Sequence, residues 1–245
     1  MFAFGSGVLL GVRTDVANAT PVNFGLVQEV QLDLQFTAKE LYGQYQFPVA
    51  IARGQGKASG KAKMAQVSGL AFNNLFFGAS LTTGQLATAY GEAGAIPGSS
   101  AYTVTVTNSG AWVDDYGVVF AATGLPLAKV ASSPSSGQYS VASGVYTFNS
   151  ADAGKGVLIS YAYTVSGSGQ QVTLANPLLG TTPTFQAQLY TSFQGKPVNV
   201  KLFNCVSTKL AFASKLEDFT IPELDFDVFA NAAGNVLQWS FGEVS

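Results

Sequence analysis

The residues of this chain that are best suited to chemistry are charged, and they form two clusters of opposite sign. The basic cluster comprises Arg53, Lys57, Lys61 and Lys63, and the acidic cluster comprises Glu217, Asp218, Glu223, Asp225 and Asp227. Three explanations are open: the clusters pair across adjacent strands of one subunit, they pair between subunits, or the acids bind calcium through oxygen ligands. Alternate spacing sets Glu223, Asp225 and Asp227 about 6–7 Å apart on one strand face, which is a ladder rather than a cage. We therefore expect neither a metal nor a cofactor.

Other short patterns fall short of a catalytic signature. The segment Gly54–Lys61 is followed by Ala62, whereas a phosphate-binding Walker loop needs Ser or Thr there, so a basic strand pair or flexible arm is the better interpretation. The neighbours Asp114 and Asp115 would point to opposite faces of a strand, which is poor geometry for paired acid–base work, and we interpret them as part of a turn. Cys205 lies in an apolar run and is expected to be a buried, inert thiol.

The composition excludes several classes of function. The 245 residues include no His and one Cys, so this chain alone cannot supply a His-containing triad, a His-ligated metal or an internal disulfide. A net charge of −2 argues against a dedicated nucleic-acid-binding protein. Only 11% of residues are charged, against about 25% in ordinary soluble domains. That deficit fits either a polar but uncharged β surface or a surface that lies against other subunits.

Hydrophobic alternation with a period of two dominates the chain and predicts strands with one polar face. In one such strand Gln31, Asp33 and Gln35 alternate with apolar residues, and in another Gln186 and Gln188 do so. A helix is predicted over 68–77, with Ser68 as its N-cap and Gly78 at its C-terminus. We therefore expect an all-β protein, mainly an antiparallel sandwich or barrel, with one short flanking helix.

The middle of the chain has shorter strand-like runs separated by Ser- and Gly-rich turns. We expect a single domain over 1–245, in which about 100–166 is an inserted or elaborated β lobe. Met1 is not followed by a charged and then apolar leader, and no uncharged stretch is free of polar breaks, so neither a signal peptide nor a membrane helix is expected.

Several segments resemble the major tail tube proteins of long-tailed, non-contractile bacteriophages. They are Gly5–Leu9, Arg13-Thr14, Asn23–Val30, Lys39–Gly43, Phe47–Ala50, Gly56–Lys61 and Lys215–Phe226. The resemblance covers roughly 1–90 and 182–245, with a looser similarity in 117–163. None of these segments is a chemical signature.

The resemblance implies a structural virion protein rather than an enzyme. Proteins of this kind form stacked hexameric rings whose inner sheets line a DNA-conducting channel. It implies a virion tail protein assembled in the host cytoplasm, with copies of itself, the tape measure, the terminator and the distal tail protein as partners and no membrane. DNA would pass without specific binding.

Within this picture the polar strand faces are candidates for the channel lining and the charge clusters for subunit contacts. The lining candidates are Gln31, Asp33, Gln35, Gln186 and Gln188. We expect the basic cluster in a loop or arm between rings, where it meets the acidic cluster, and the helix over an inter-subunit seam.

The alternative function is another self-associating virion or surface β module, such as a decoration, fibre or carbohydrate-binding domain. Its candidates for stacking on sugars are Tyr102, Trp112, Tyr116, Tyr139, Tyr146 and Tyr161.

Overall fold

The computed structural model describes residues 5–66 and 68–242, and it divides the chain into two compact units. The main unit combines Met1–Leu81 with Val172–Ser245, and the inserted unit spans Thr82–Gln171. The lobe expected at about 100–166 falls inside the inserted unit. Both units are mainly antiparallel β, and a single short α-helix is present in the described residues, so the expected all-β fold class is confirmed.

In chain order the strands are β1 (Val8–Arg13), β2 (Val22–Asn23), β3 (Val27–Tyr42), β4 (Pro48–Met64), β5 (Thr82–Ala95), β6 (Thr103–Thr105), β7 (Trp112–Phe120), β8 (Ala128–Lys129), β9 (Gln138–Ala142), β10 (Val145–Phe148), β11 (Gly156–Gln171), β12 (Thr184–Phe193), β13 (Lys196–Ala211), β14 (Glu223–Phe229) and β15 (Leu237–Phe241). The helix α1 (Gly69–Phe72) continues into one π-helical turn, Asn73–Phe77. Single 3₁₀ turns occur at Ser109–Ala111 and Ser150–Asp152.

The main unit is built on one large sheet with the strand order β2-β1-β12-β13-β14-β4-β3. The long strand β13 has two partners on the same side, because β15 pairs with Val198–Leu202 and β14 pairs farther along the strand. Hairpin connections join β3 to β4 and β12 to β13, as their antiparallel register shows.

Apolar residues from one face of this sheet form the core of the main unit. Phe185, Ala187 and Leu224 are among the buried side chains of that face, and α1 with its π turn contributes Phe72 and Leu75 to the same cluster. The helix therefore covers its own chain's core; a position over an inter-subunit seam stays a prediction.

The caps expected for the helix are present. The hydroxyl of Ser68 accepts a hydrogen bond from the backbone N–H of Ala71 at 3.3 Å, and Gly78 has a left-handed φ of 64°. Asn73, in the π-helical turn, is buried, although Asn side chains are mostly exposed in proteins. Its amide group bonds both the N–H and the C=O of Ala79, which fixes the chain as it leaves the helix.

The inserted unit contains a three-stranded sheet, β5-β11-β7, and a four-stranded sheet, β6-β10-β9-β8. Their buried residues form a second core cluster rich in aromatic rings, including Tyr139, Tyr146, Phe148 and Tyr161. Within 139–148, β9 and β10 are joined by a tight turn at Ser143 and Gly144, both of which have positive φ. In the main unit, β13 ends at Ala211.

Candidate functional site

The second face of the large sheet is polar, and it unites the residues that the sequence singled out. Side chains alternate between the two faces of a strand, and directly paired residues share a face. On β3, Gln31 pairs with Lys61 and Gln35 with Lys57, whereas the alternate residues Val30 and Leu32 pack against the apolar core. On β12, Gln188 pairs with Lys201. All five candidates for the channel lining therefore lie on one face, which we call the polar face: Gln31, Asp33, Gln35, Gln186 and Gln188.

The two charge clusters meet on this same face, inside one chain. Lys61 Nζ lies 2.6 Å from Glu223 Oε1, Lys57 Nζ lies 3.4 Å from Asp227 Oδ1, and β4 and β14 are direct neighbours. Lys63 turns the other way and binds Glu29 on β3 at 2.5 Å. The hydrogen bond from Lys61 lowers the pKa of the Glu223 carboxyl below its usual value. Of the three explanations given for the charge clusters, pairing across adjacent strands of one subunit matches the contacts of these residues.

The expected placement of the basic cluster in a loop or arm is wrong for three of its four members. These three lysines, Lys57, Lys61 and Lys63, lie in the part of β4 that runs beside β3 and β14. Because side chains alternate along a strand, this spacing puts all three on the polar face. Arg53 does lie beyond the reach of β14, where its guanidinium stacks 4.7 Å from the ring centre of Phe36. A role for these residues between subunits stays a prediction.

Glu217 and Asp218 of the acidic cluster are not part of the sheet. They lie exposed in the loop between β13 and β14, and Asp218 pairs locally with Lys215 at 3.3 Å. Asp225, in contrast, is on the polar face, with Oδ2 3.8 Å from Lys209 and no hydrogen-bond partner for Oδ1. The acidic cluster is thus divided between a loop and a strand.

The glycines of the Gly54–Lys61 segment have a packing role. A Cβ on Gly60 would lie 2.3 Å from Cζ of Phe226, and one on Gly56 would lie 2.8 Å from Cε1 of Phe36. The aromatic rings cover the apolar side of β4 at the glycines, while the lysines occupy its polar side. The segment resembles a phosphate loop only in composition.

Charges on the polar face are balanced. Outside residues 36–56, the described strands of the main sheet place five carboxylates and five lysines on this face: Glu29, Asp33, Glu223, Asp225 and Asp227 with Lys57, Lys61, Lys63, Lys201 and Lys209. Four of these lysines are ion-paired, and Lys201 lies over the ring of Phe203. The surface thus offers polar contacts with no net charge.

A long exposed hairpin extends β3 and β4 beyond the strand β14. We call residues 36–56 the hairpin arm. Apart from half-buried Pro48, every residue of the arm is exposed. It displays large apolar side chains, with Phe47 80% exposed and Tyr45 and Ile51 similarly open. The sequence patterns did not predict this arm, although apolar residues on both faces of 41–51 are its signal.

Both ends of the large sheet have open edges. At one end β3, 16 residues long, pairs only with β4 among the described strands. At the other end the two-residue β2 covers only Leu10 and Gly11 of β1. Unpaired backbone groups on such edges are available to another strand.

The inserted unit buries a charged network that the sequence interpretation of Asp114 and Asp115 missed. Both residues are in β7 rather than in a turn, and they do point to opposite sides, with Asp115 only 2% exposed. Asp115 accepts hydrogen bonds from the hydroxyls of Tyr139 (2.7 Å) and Tyr146 (3.0 Å), and Lys129 lies 3.1 Å away. Burial raises its pKa, but these partners outweigh burial and lower the pKa overall.

A second buried carboxylate ties together two turns of the inserted unit. Asp152 is fully buried and accepts hydrogen bonds from the hydroxyl of Ser136 (2.9 Å), the N–H of Gly137 (2.7 Å) and Nζ of Lys155 (2.7 Å). Burial opposes ionisation, yet the three donors lower the pKa of the carboxyl. These contacts identify Asp152 as a structural anchor.

Most aromatic residues proposed for sugar stacking are parts of the core. Tyr139, Tyr146 and Tyr161 are buried, Tyr102 and Trp112 are half-buried, and Tyr116 is exposed. Cys205 is buried as expected, and burial raises the pKa of its thiol to about 12.

Within 5–66 and 68–242, no three or more Asp, Glu or Cys side chains form a group that could hold a metal ion. Over the same ranges, no helix has the length and apolar character needed to cross a membrane. Comparison with known protein families finds no matching family model, and comparison with curated proteins finds no match.

Proposed function

We propose that this protein is the structural subunit of a phage tail tube, assembling head to tail into stacked, hexameric rings through which DNA passes. The observation that carries the proposal is the large sheet, which combines two open edges with a polar face of no net charge. The resemblance of its strand segments to tail tube proteins supplies the biological setting.

The two edges are different, so an edge-to-edge contact between copies is head to tail. The β3 edge of one copy would face the β1 edge of the next, and such a heterologous contact closes into a ring when the rotation per subunit divides a full turn. Backbone hydrogen bonds across the contact would extend the sheet around the ring. Val8, which is exposed on β1 beyond the two residues that β2 covers, would lie beside the neighbouring subunit in that arrangement.

The polar face is suited to line the channel of such a ring. Proteins bind DNA largely through cations that neutralise phosphates. Here Lys57, Lys61, Lys63 and Lys209 each lie next to a carboxylate of the same chain. DNA could slide past a surface of glutamines and neutralised lysines without being held.

The hairpin arm and the exposed loop containing Glu217 and Asp218 are the proposed contacts between stacked rings. The arm exposes more apolar surface than an isolated subunit would be expected to leave in water. Phe212, Leu216 and Phe219, in and next to the loop, are also exposed. Arg53 on the arm and the two acids in the loop supply opposite charges for that contact.

The proposed setting is the virion tail, assembled in the host cytoplasm. Tape measure, terminator and distal tail proteins are the proposed partners besides further copies of the chain. No enzymatic activity is part of the proposal.

The direct test is electron microscopy of purified protein by negative staining, together with sedimentation velocity. We expect rings or tubes with a central channel for the unmodified chain. Val8→Lys places a charge on the part of the β1 edge that β2 leaves open, where it should prevent ring closure without unfolding the chain.

The matched control is Leu125→Lys, which changes an exposed apolar residue in the inserted unit. It should assemble like the unmodified protein. Monomers at high concentration for the unmodified chain, or rings formed by Val8→Lys, would contradict the proposal.

A further inference from the structure

The three-stranded sheet of the inserted unit, β5-β11-β7, has two irregularities at the same position along β11. On β5, Tyr90 and Gly91 oppose the single residue Ser160 of β11, and on β7, Tyr116 and Gly117 oppose it from the other side. Each is a β-bulge, and each contains a glycine with positive φ, 67° at Gly91 and 106° at Gly117. Bulges re-aim neighbouring side chains and occur often beside binding sites.

The two bulges border a cleft on the side of this sheet opposite the aromatic core. Leu158 and Ser160 line it between the two tyrosines, because the alternate residues Val157, Ile159 and Tyr161 belong to the core. The cleft has a volume of about 280 Å³, close to the lower end of the range for small-ligand sites, so it suits one or two sugar rings rather than a larger ligand.

The tyrosines of the cleft are much more exposed than those of the core. Tyr90 is 93% exposed and Tyr116 is 54% exposed. In the described part of the chain neither ring stacks on another aromatic ring. No charged residue is among those that line the cleft, and the Ser160 hydroxyl, which accepts a hydrogen bond from the N–H of Gly91 at 3.1 Å, keeps its own O–H as a donor.

We propose that this cleft binds a neutral carbohydrate, with Tyr90 and Tyr116 stacking on the C–H faces of its pyranose rings. An exposed phenol ring combines an apolar face with a hydroxyl that hydrogen-bonds, which matches the mixed surface of a sugar. The uncharged lining favours neutral over acidic sugars, because no cation is present to pair with a carboxylate or sulfate. The inference is independent of tube assembly.

The test uses the full chain and an array of neutral hexose and N-acetylhexosamine oligosaccharides, with sialylated and sulfated glycans on the same array. We expect binding to a subset of the neutral glycans. The best of them is then examined by saturation-transfer NMR, where Tyr90→Ala and Tyr116→Ala should each weaken binding about three- to tenfold. Tyr116→Phe should retain most of it.

Leu86→Ala is the matched control, because it removes an exposed apolar side chain from the same strand as Tyr90 but outside the cleft. It should bind like the unmodified chain, and unchanged thermal melts should establish that all variants fold. Binding to no neutral glycan, binding only to the acidic glycans, or binding by both alanine variants as tight as that of the unmodified chain would overturn the proposal.

Discussion

Lys61 Nζ lies 2.6 Å from a carboxylate oxygen of Glu223, although the strand register places Lys61 directly opposite Asp225. The lysine reaches diagonally to the next acid along β14. Lys209 approaches the same Glu223 oxygen from β13 at 3.3 Å. Glu223 is therefore the centre of a three-strand ion network, and Asp225 is peripheral to it.

This asymmetry predicts different effects for two similar substitutions. Glu223→Gln should lower the melting temperature by about 1–3 °C, since it removes the acceptor shared by two lysines. Asp225→Asn should change it by less than half as much, because the one ion pair of Asp225 among the described residues is with Lys209, at 3.8 Å. Thermal unfolding followed by circular dichroism in low salt measures both. Equal changes in melting temperature would show that Glu223 and Asp225 contribute equally to the ion network.

The packing of β4 gives a second prediction. Gly60→Ala should destabilise the main unit by about 1–3 kcal/mol, because the new methyl group would overlap the ring of Phe226. The control is Gly167→Ala on β11, where a Cβ would meet nothing within 4 Å. Urea unfolding of both variants should show a lower midpoint for Gly60→Ala alone. A tolerated Gly60→Ala would mean that Phe226 can move aside.

Local patterns were sufficient to predict the alternating strands and the capped helix. Ser68 and Gly78 mark the ends of that helix because caps depend on neighbouring residues only. The pairing of β4 with β14 could not be predicted, since it joins segments about 160 residues apart and many registers satisfy the same alternation. The sequence therefore identified the charge clusters but left their partners open.

The inserted unit illustrates a second limit. Asp114 and Asp115 suggested a turn because acidic residues are common in turns and rare in cores. Asp115 is buried only because two tyrosine hydroxyls and Lys129 converge on it from distant parts of the chain. A buried charge of this kind depends on the tertiary fold and leaves no periodic signal.

That network predicts a cost for removing one hydroxyl. Tyr139→Phe should destabilise the protein by about 1.5–3 kcal/mol, because Asp115 stays buried with one donor fewer. Tyr163→Phe is the control, since the hydroxyl of that half-buried ring has no hydrogen bond in the described structure. Calorimetric melting of the two variants at neutral pH compares them. A loss from Tyr163→Phe as large as that from Tyr139→Phe would argue against the network.

Asp152 predicts a dependence of stability on pH. Its pKa is lowered in the folded state, so its contribution is fully present above the unfolded-state value of about 3.9 and is lost as the pH falls through the folded value. Asp152→Asn should therefore cost about 1–3 kcal/mol at pH 7. The difference from the unmodified protein should shrink below about pH 4.

Melting temperatures between pH 2 and 7 test this prediction, with the exposed Asp114→Asn as the control. The melting temperature of Asp114→Asn should follow that of the unmodified protein over the whole pH range. If the melting temperature of Asp152→Asn stays below that of the unmodified protein by the same amount down to pH 2, the loss comes from altered packing or hydrogen bonding rather than from the lost charge.

The hairpin arm predicts a separation of assembly from folding. Phe47→Lys combined with Ile51→Lys places two charges on a surface that is already exposed in the subunit, so the melting temperature of the subunit should change by less than about 2 °C. If the arm packs against the next ring, the same change should convert tubes into single rings, because burying unpaired lysines at that contact is costly. Electron microscopy and sedimentation would distinguish the two products. Leu86→Lys, which adds a charge to an exposed site on the inserted unit, should still form tubes, whereas tubes of normal length from the arm variant would exclude the arm from ring stacking.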